Sequence, residues 1–320
     1  MTGIVVAGAG AFGTALAIAL ARERGDVALW AREPGDMGSA RQNARRLPGA
    51  TFPEALRVVG GDGGALADAD TVLLAVPTQR LRGFLDEHAG ALAGKTCVLC
   101  CKGIEAGTGL LPGEVLAEAL PGAETAVLTG PGFAAEIARG LPTALTLATR
   151  APGAEALQRR LSTRSLRLYL SSDPVGAQLG GALKNVIAIA CGVAIGAGLG
   201  ESARAALMTR GYAEIMRLAV DMGADPATLS GLSGLGDLAL TCGSELSRNF
   251  ALGLALGRGE DRPGGKTQEG VATADACLTL ARGRGIDMPV TTIVAARLNR
   301  ELTTAQAVDA LLSRPLRSET

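Results

Sequence analysis

The sequence predicts an α/β fold in which an N-terminal, doubly wound parallel sheet is followed by an all-helical domain. Three observations lead there. Short β-branched or apolar runs alternate with helix-like segments through the first half of the chain. A glycine-rich turn joins the first of these runs to the first helical segment. Beyond Asp173 the β-branched runs give way to helical stretches broken by glycines near 198–200, 223, 231–236 and 257–265. Uninterrupted apolar strands alternating with helices mark a parallel sheet covered on both faces.

The predicted strands are residues 4–7 (IVVA), 27–30 (VALW), 71–76 (TVLLAV), 96–100 (TCVLC), 126–129 (AVLT) and 144–148 (ALTLA), with 167–170 (RLYL) as a last one. Between them lie helical segments at 12–24, 79–89, 113–119 and 133–139. The change of pattern places a domain boundary near residue 172, giving units 1–172 and 173–320. At about 100–200 residues per domain, a chain of this length accommodates two. No repeat or low-complexity tract interrupts them, only a glycine-rich stretch at 257–265 that reads as flexible.

Composition narrows the function. The 31 basic residues balance the 31 acidic ones, so no global field recruits nucleic acid or an anionic membrane. One Trp, two Tyr and five Phe are too few for base-stacking platforms. With His88 as the one histidine, a His-rich metal site and a Ser-His-Asp triad are not expected. His88 itself reads as solvent-facing at the end of a surface helix (LDEHAG), with no catalytic part. No basic segment precedes the first apolar run, MTGIVVAGAGAFG, so a secretory leader is not expected. No uncharged span reaches the roughly 20 residues of a membrane helix. Cys97 and Cys100 have C-x-x-C spacing, and Cys101 adjoins them, but TCVLCCK reads as a strand rather than as the start of a redox helix. Buried thiols of a cytoplasmic protein, without bound metal, are the expectation.

Gly8-Ala9-Gly10-Ala11-Phe12-Gly13 follows the first strand and opens the first helix. In such a G-x-G-x-x-G turn the first glycine permits the tight bend, the second a close approach of a pyrophosphate, and the third close helix–sheet packing. The helix N-terminus adds free N–H groups and a positive dipole end. The order strand, loop, helix, strand therefore points to a bound dinucleotide. The second strand is followed by Ala31-Arg32 where an acidic residue would hold a ribose 2′-hydroxyl, which suits a 2′-phosphate and favours NADP over NAD; Glu33 and Asp36 keep NAD open. Pro77, just past the strand TVLLAV, is expected to line the cofactor crevice.

Two isolated charges stand out in the second half. Lys184 is the sole charge between Asp173 and Glu201, with Gly180 and Gly181 one turn away as room for a ligand. A Lys in apolar surroundings has a lowered pKa and can exchange a proton near neutral pH; the alternative is a side chain that snorkels to the surface. Asp237 is equally isolated in GLSGLGDLALTCGS, either as a partner for that ammonium or as a helix N-cap. Ser247 can cap the helix that follows it, and Arg248 would bring a fork of donors to a phosphate there. Lys102 sits past a strand end, where parallel sheets place ligand-contacting groups.

Taken together, GAGAFGTALA, LPG (47–49), CKGIE, TGPGFA, LGGALKNVIAIA, AALMTRG, GLSGLGDLALTC and SRN resemble the NAD(P)-dependent glycerol-3-phosphate dehydrogenases of the bacterial biosynthetic type, in the same order. The resemblance implies a Rossmann-like first domain and reversible hydride transfer between NAD(P)H and dihydroxyacetone phosphate, giving sn-glycerol 3-phosphate for phospholipid synthesis. It implies Lys184 as proton donor and acceptor, with Asn185 and Asp237 orienting it and the substrate hydroxyl. Lys102, Gly130, Gly132, Ser247, Arg248 and Asn249 would hold the substrate. Gly8, Gly10, Ala11, Phe12, Gly13, Arg32, Pro77, Lys102, Ala134, Arg248 and Glu269 would line the cofactor. Four places depart from the family: Gly132 stands where a serine is usual, Phe12 where a tryptophan is more usual, GESARAAL (200–207) replaces GDNTKAAL, and KTQEG (266–270) replaces VEG. These departures keep open a related dehydrogenase acting on another small phosphorylated or acidic ketone. A non-catalytic NAD(P) sensor is the reading from another class, and it would need the glycine loop alone. A small phosphorylated substrate is the expected partner, and a homodimer is compatible with the apolar second domain.

Overall fold

A computed structural model describes residues 3–61, 63–260 and 269–312. The first half alternates strands and helices: β1 (Ile4–Ala7), α1 (Ala11–Ala21), β2 (Val27–Trp30), α2 (Met37–Ala40), β3 (Arg57–Val59), α3 (Gly64–Ala67), β4 (Thr71–Leu74), α4 (Thr78–Leu92), β5 (Thr96–Leu99), α5 (Pro112–Ala119), β6 (Glu124–Thr129), α6 (Ala134–Arg139), β7 (Thr143–Thr149), α7 (Ala154–Leu161) and β8 (Leu166–Ser171). They form one eight-stranded sheet in the order β3-β2-β1-β4-β5-β6-β7-β8. Side chains alternate along β1 into two cores. Ile4 and Val6 join Leu16 and Leu20 of α1, while Val5 and Ala7 join Trp30, Leu81 and Phe84 on the other face. A strand buried on both faces explains why its sequence is apolar without alternation.

The second half is helical: α8 (Pro174–Gly196), α9 (Gly200–Asp221), α10 (Pro226–Ser230), α11 (Asp237–Cys242), α12 (Arg248–Gly257), α13 (Glu269–Gly283), α14 (Pro289–Leu298) and α15 (Thr304–Leu312). Helix α8 is its mast. Asp173 caps it by accepting from Gly176 N at 2.9 Å, and the other carboxylate oxygen accepts from Asp225 N, so one side chain joins two helix starts. Gly192 and Gly253 pack where α8 crosses α12: a Cβ on Gly253 would come within 2.9 Å of Val193 N. Among the described residues, α8 alone has the length and mean hydropathy (1.7) of a membrane span, and that window is 89% buried inside the protein.

Several expectations need correction. The sheet is not wholly parallel, because β7 pairs antiparallel with β6. After the six-residue α6 the chain returns beside β6 in the opposite sense. The three-residue β3 and the short α2, α3 and α7 lack a long apolar run and were not expected. His88 is buried, not solvent-facing: it is 4% exposed, with its ring 5.3 Å from Trp30 and 4.7 Å from Phe84. It follows Phe84 by one helical turn, on the face of α4 that also buries Leu81, Leu85 and Leu92. All six cysteines are free and buried, in line with the expected thiols; burial raises Cys97 to about 11 and Cys101 to about 12. Residues 1–2, 261–265 of the glycine-rich stretch and 266–268 of KTQEG lie outside the described residues.

Candidate active site

Strand order reverses at β1, which has β2 on one side and β4 on the other. Ligands of open α/β sheets bind beyond the carboxyl ends of the strands at such a point. The glycine loop lies there. Gly8 has φ +118, and a Cβ on it would lie 2.6 Å from the Ala75 carbonyl; one on Gly13 would lie 2.9 Å from Ala75 Cβ. At Gly10 a Cβ would meet nothing within 4 Å. Two glycines thus let the loop press against β4, and the third leaves a cradle open. Gly10 is also the N-cap of α1, with no side-chain cap and no acidic residue in the first turn. The N–H groups of that turn are left for an anion. The cradle and the unpartnered helix start fit a dinucleotide pyrophosphate. Around them, Arg32 is exposed just past β2, Pro77 is the exposed N-cap of α4, and Ala11 and Ala134 are half-buried where α1 meets α6.

A charge cluster closes the other side. Asp237 opens α11 and is 1% exposed. Its Oδ1 takes a short hydrogen bond from Lys184 Nζ, and Lys102 Nζ lies 2.7 Å from its Oδ2. Lys102, three residues past the end of β5, also donates to Gly130 O at 3.2 Å and lies 5.6 Å from the centre of the Phe12 ring. Lys184 Nζ donates further to Thr241 Oγ1 at 2.8 Å, and that hydroxyl donates to Asp237 O at 2.6 Å. Burial lowers the pKa of Lys184 to about 8; the Asp237 carboxylate opposes this and the Lys102 ammonium reinforces it. The ammonium can therefore give up or regain a proton close to neutral pH. Asp237 spends its carboxylate on the two lysines, so the N-cap reading does not hold.

The backbone explains the placement. A π-helical turn, Leu232–Gly236, feeds into α11, and turns of this kind recur at functional sites. A Cβ on Gly180 would lie 2.5 Å from Ser233 O, and one on Gly181 2.6 Å from Thr129 Oγ1. These glycines therefore seat α8 against the π-turn and β6, and do not leave room for a ligand as expected. Close seating is what lets Lys184 reach Asp237.

The remaining predicted residues divide. Ser247 caps α12, accepting from Phe250 N at 3.2 Å, which leaves the N–H groups of Arg248 and Asn249 at that helix start. Arg248 is exposed. Asn249 donates to Asn185 Oδ1 at 3.0 Å and accepts from Gly270 N at 3.3 Å, so its amide braces α8, α12 and α13. The Asn185 amide oxygen is taken up by Asn249. Burial raises the Glu269 pKa, against the pull of Arg248, Lys102 and Lys184, which places this carboxyl among those cations. At Gly132 a Cβ would meet Ile137 Cδ1 at 3.0 Å and Thr143 Cγ2 at 3.1 Å, so apolar groups fill the place of a side chain. In the altered GESARAAL segment, Arg204 donates to Glu201 at 2.5 Å and to Cys242 O, the last carbonyl of α11, at 3.4 Å. Thr241 escaped the sequence reading. Its signal was present as the hydroxyl four residues after Asp237, one helical turn away on the same face.

A family profile described as NAD-dependent glycerol-3-phosphate dehydrogenase N-terminus matches residues 3–154, and its C-terminal counterpart matches residues 173–309. The chain belongs to the NAD-dependent glycerol-3-phosphate dehydrogenase family. It is 58% identical over 320 residues to a glycerol-3-phosphate dehydrogenase [NAD(P)+] of Ruegeria sp. strain TM1040, covering 99% of each chain. A protein of the same description from Cereibacter sphaeroides is 58% identical over 317 residues, covering 99% of this chain and 100% of that one. Among solved structures, the glycerol-3-phosphate dehydrogenase of Coxiella burnetii superposes with a TM-score of 0.94 at 38% identity, over 98% of this chain and 99% of that one. A ketopantoate reductase from Ralstonia eutropha, with a TM-score of 0.60 and 16% identity, shares the fold alone. For this dehydrogenase, then, the architecture is common to several reductases, and the side chains at the cleft carry the distinction.

Proposed function

We propose that the chain interconverts dihydroxyacetone phosphate and sn-glycerol 3-phosphate with NAD(P)H, supplying glycerol 3-phosphate for phospholipid synthesis. The observation that carries the reading is the buried Lys184 ammonium on Asp237, with Lys102 on the other carboxylate oxygen. Relatives described as glycerol-3-phosphate dehydrogenase [NAD(P)+] over nearly their whole length support the choice of substrate.

A nicotinamide cofactor held at the glycine loop would supply or accept the hydride. The rest falls to the chain. As the carbonyl is reduced, negative charge grows on its oxygen, and Lys184 gives that oxygen a proton; in the reverse direction the neutral amine takes it back. Asp237 and Thr241 hold the Lys184 nitrogen in place, and Lys102 pairs with the other carboxylate oxygen and adds positive charge beside the growing oxyanion. Arg248 and the N–H groups at the start of α12 take the substrate phosphate. Asn249 and Asn185 support this end through their mutual hydrogen bond, and Ser247 keeps the helix start in shape. Gly130, through its carbonyl, fixes Lys102, and the backbone at Gly132 borders the substrate. Gly8, Gly10, Ala11, Phe12, Gly13, Pro77, Ala134 and Glu269 line the cofactor. Arg32 reads a 2′-phosphate, so NADPH is the preferred coenzyme.

In this reading residues 1–172 form the dinucleotide-binding domain and 173–320 the catalytic one. Six free thiols support a reducing, cytoplasmic setting. A homodimer belongs to the same reading and is compatible with the apolar second domain. The deciding assay follows oxidation of NADPH and NADH with dihydroxyacetone phosphate against a panel of other small ketones, phosphorylated and acidic. Turnover confined to dihydroxyacetone phosphate is the expected result; a faster ketone, or none turned over, overturns the proposal.

A further inference from the structure

We propose that Asn43 is a positioning residue for the glycine loop: its side-chain amide turns the Gly10 N–H toward the cofactor diphosphate. The inference rests on the reading of that loop as the cofactor site. Asn43 lies 34 residues from Ala9 in sequence, outside the G-x-G-x-x-G segment, and is 3% exposed. Its Nδ2 donates to Ala9 O at 2.9 Å and to Thr14 Oγ1 at 2.9 Å, and its Oδ1 accepts from Arg46 N at 3.2 Å. These partners dictate which way the amide faces, since a carbonyl can only accept and a backbone N–H can only donate.

The consequence follows from peptide geometry. Ala9 O and the Gly10 N–H belong to one peptide unit, which is planar and trans, so the two groups point in opposite directions. A carbonyl held against Asn43 leaves the N–H facing the other way, where the missing side chain of Gly10 leaves the cradle open. Without Asn43, that peptide is free to rotate and present its carbonyl to a ligand carrying two negative phosphates. The second bond, to Thr14, reaches the first turn of α1, where Thr14 N donates to Gly10 O at 2.9 Å. One amide therefore holds both the loop and the helix start that receive the diphosphate.

Asn43 is itself held from behind. Arg41, in the left-handed region with φ 52, donates to the carbonyls of Leu56, at 2.9 Å, and Pro53. Phe52 N returns a bond to Arg41 O at 2.8 Å, and Leu47 N donates to Asn43 O at 2.8 Å. Leu47, Phe52 and Leu56 are buried beneath. The segment is thus a rigid clip packed on the sheet, and an amide is the side chain it requires. An aspartate of the same size would set a negative oxygen against the Ala9 carbonyl and near the diphosphate.

The test measures ADP binding by calorimetry to the cofactor-free wild-type protein and to Asn43→Ala, Asn43→Asp and Asn43→Ser. Thermal midpoints, kcat at saturating NADPH and the KM for dihydroxyacetone phosphate are measured alongside. ADP carries the diphosphate without the nicotinamide, so it reports the loop alone. Wild-type binding of ADP tests the cofactor reading, and its absence overturns that reading and the proposal together. With wild type binding, the expected result is a loss of ADP affinity of about tenfold or more in Asn43→Ala, and a larger loss in Asn43→Asp. The KM for NADPH should rise in step, with kcat and the KM for dihydroxyacetone phosphate nearly unchanged. Unchanged ADP affinity overturns the proposal. So does a loss of ADP affinity accompanied by equal losses in kcat and substrate KM, which would make Asn43 a general prop. If Asn43→Ala fails to fold, Asn43→Ser, which keeps one donor, carries the same comparison.

Discussion

Lys102 Nζ lies 2.7 Å from Asp237 Oδ2, the carboxylate oxygen that Lys184 leaves free. One buried carboxylate thus serves two ammonium groups, one from the sheet half of the chain and one from the helical half. Burying such a group is costly, and removing the carboxylate would leave two ammonium groups without their counter-charge. The cluster is therefore a unit held together through one carboxylate.

Loss of the proton donor should be felt mainly in kcat. General acid catalysis contributes about 10²–10⁴-fold. Lys184→Ala should lower kcat into that range while NADPH, measured by fluorescence titration, still binds. Asp237→Asn should also be severe, and the double variant should lose far less than the product of the two single losses. Multiplicative losses would separate the two residues.

The pH profile carries a sign. Burial lowers the pKa of Lys184 to about 8 in the free protein. Reduction requires the protonated amine, so kcat/KM for ketone reduction should fall as pH rises through about 8. Oxidation requires the neutral amine, and its kcat/KM should rise through the same region. Both limbs are read from initial rates at fixed ionic strength, and profiles moving in the same direction would remove Lys184 as the titrating group.

Coenzyme choice should depend on Arg32. Its guanidinium is exposed just past β2. Hydrogen bonds to charged groups contribute about 1.5–3 kcal/mol, so Arg32→Ala should raise the KM for NADPH roughly tenfold or more and leave that for NADH nearly unchanged. Equal changes for both coenzymes would show that the 2′-phosphate is read elsewhere.

Arg248 separates phosphate recognition from carbonyl chemistry. Arg248→Ala should cost at least about tenfold in kcat/KM with dihydroxyacetone phosphate. The slow turnover of unphosphorylated dihydroxyacetone should scarcely change. Both substrates are compared on both proteins at one salt concentration, because phosphate binding is screened. An equal loss on both substrates would make Arg248 structural.

Local chemistry made much of this protein legible from its residues in order. Apolar runs such as IVVA and VALW name the strands because a strand buried on both faces must be apolar throughout. Gly8, Gly10 and Gly13 name the phosphate loop because their spacing meets three separate steric demands. Lys184 and Asp237 stand out because isolated charges in apolar helices need a partner. What these patterns could not supply were contacts between segments distant in the chain. The antiparallel return of β7 beside β6 is one such contact, and the burial of His88 against Trp30 is another. Gly180 and Gly181 looked like space for a ligand, yet they are the seats that bring α8 against the π-turn. Thr241, Asn43 and the pairing of Lys102 with Asp237 depend on the same kind of contact. Periodicity and spacing report what each segment buries, whereas a charge cluster is made by groups that meet only after the segments have packed.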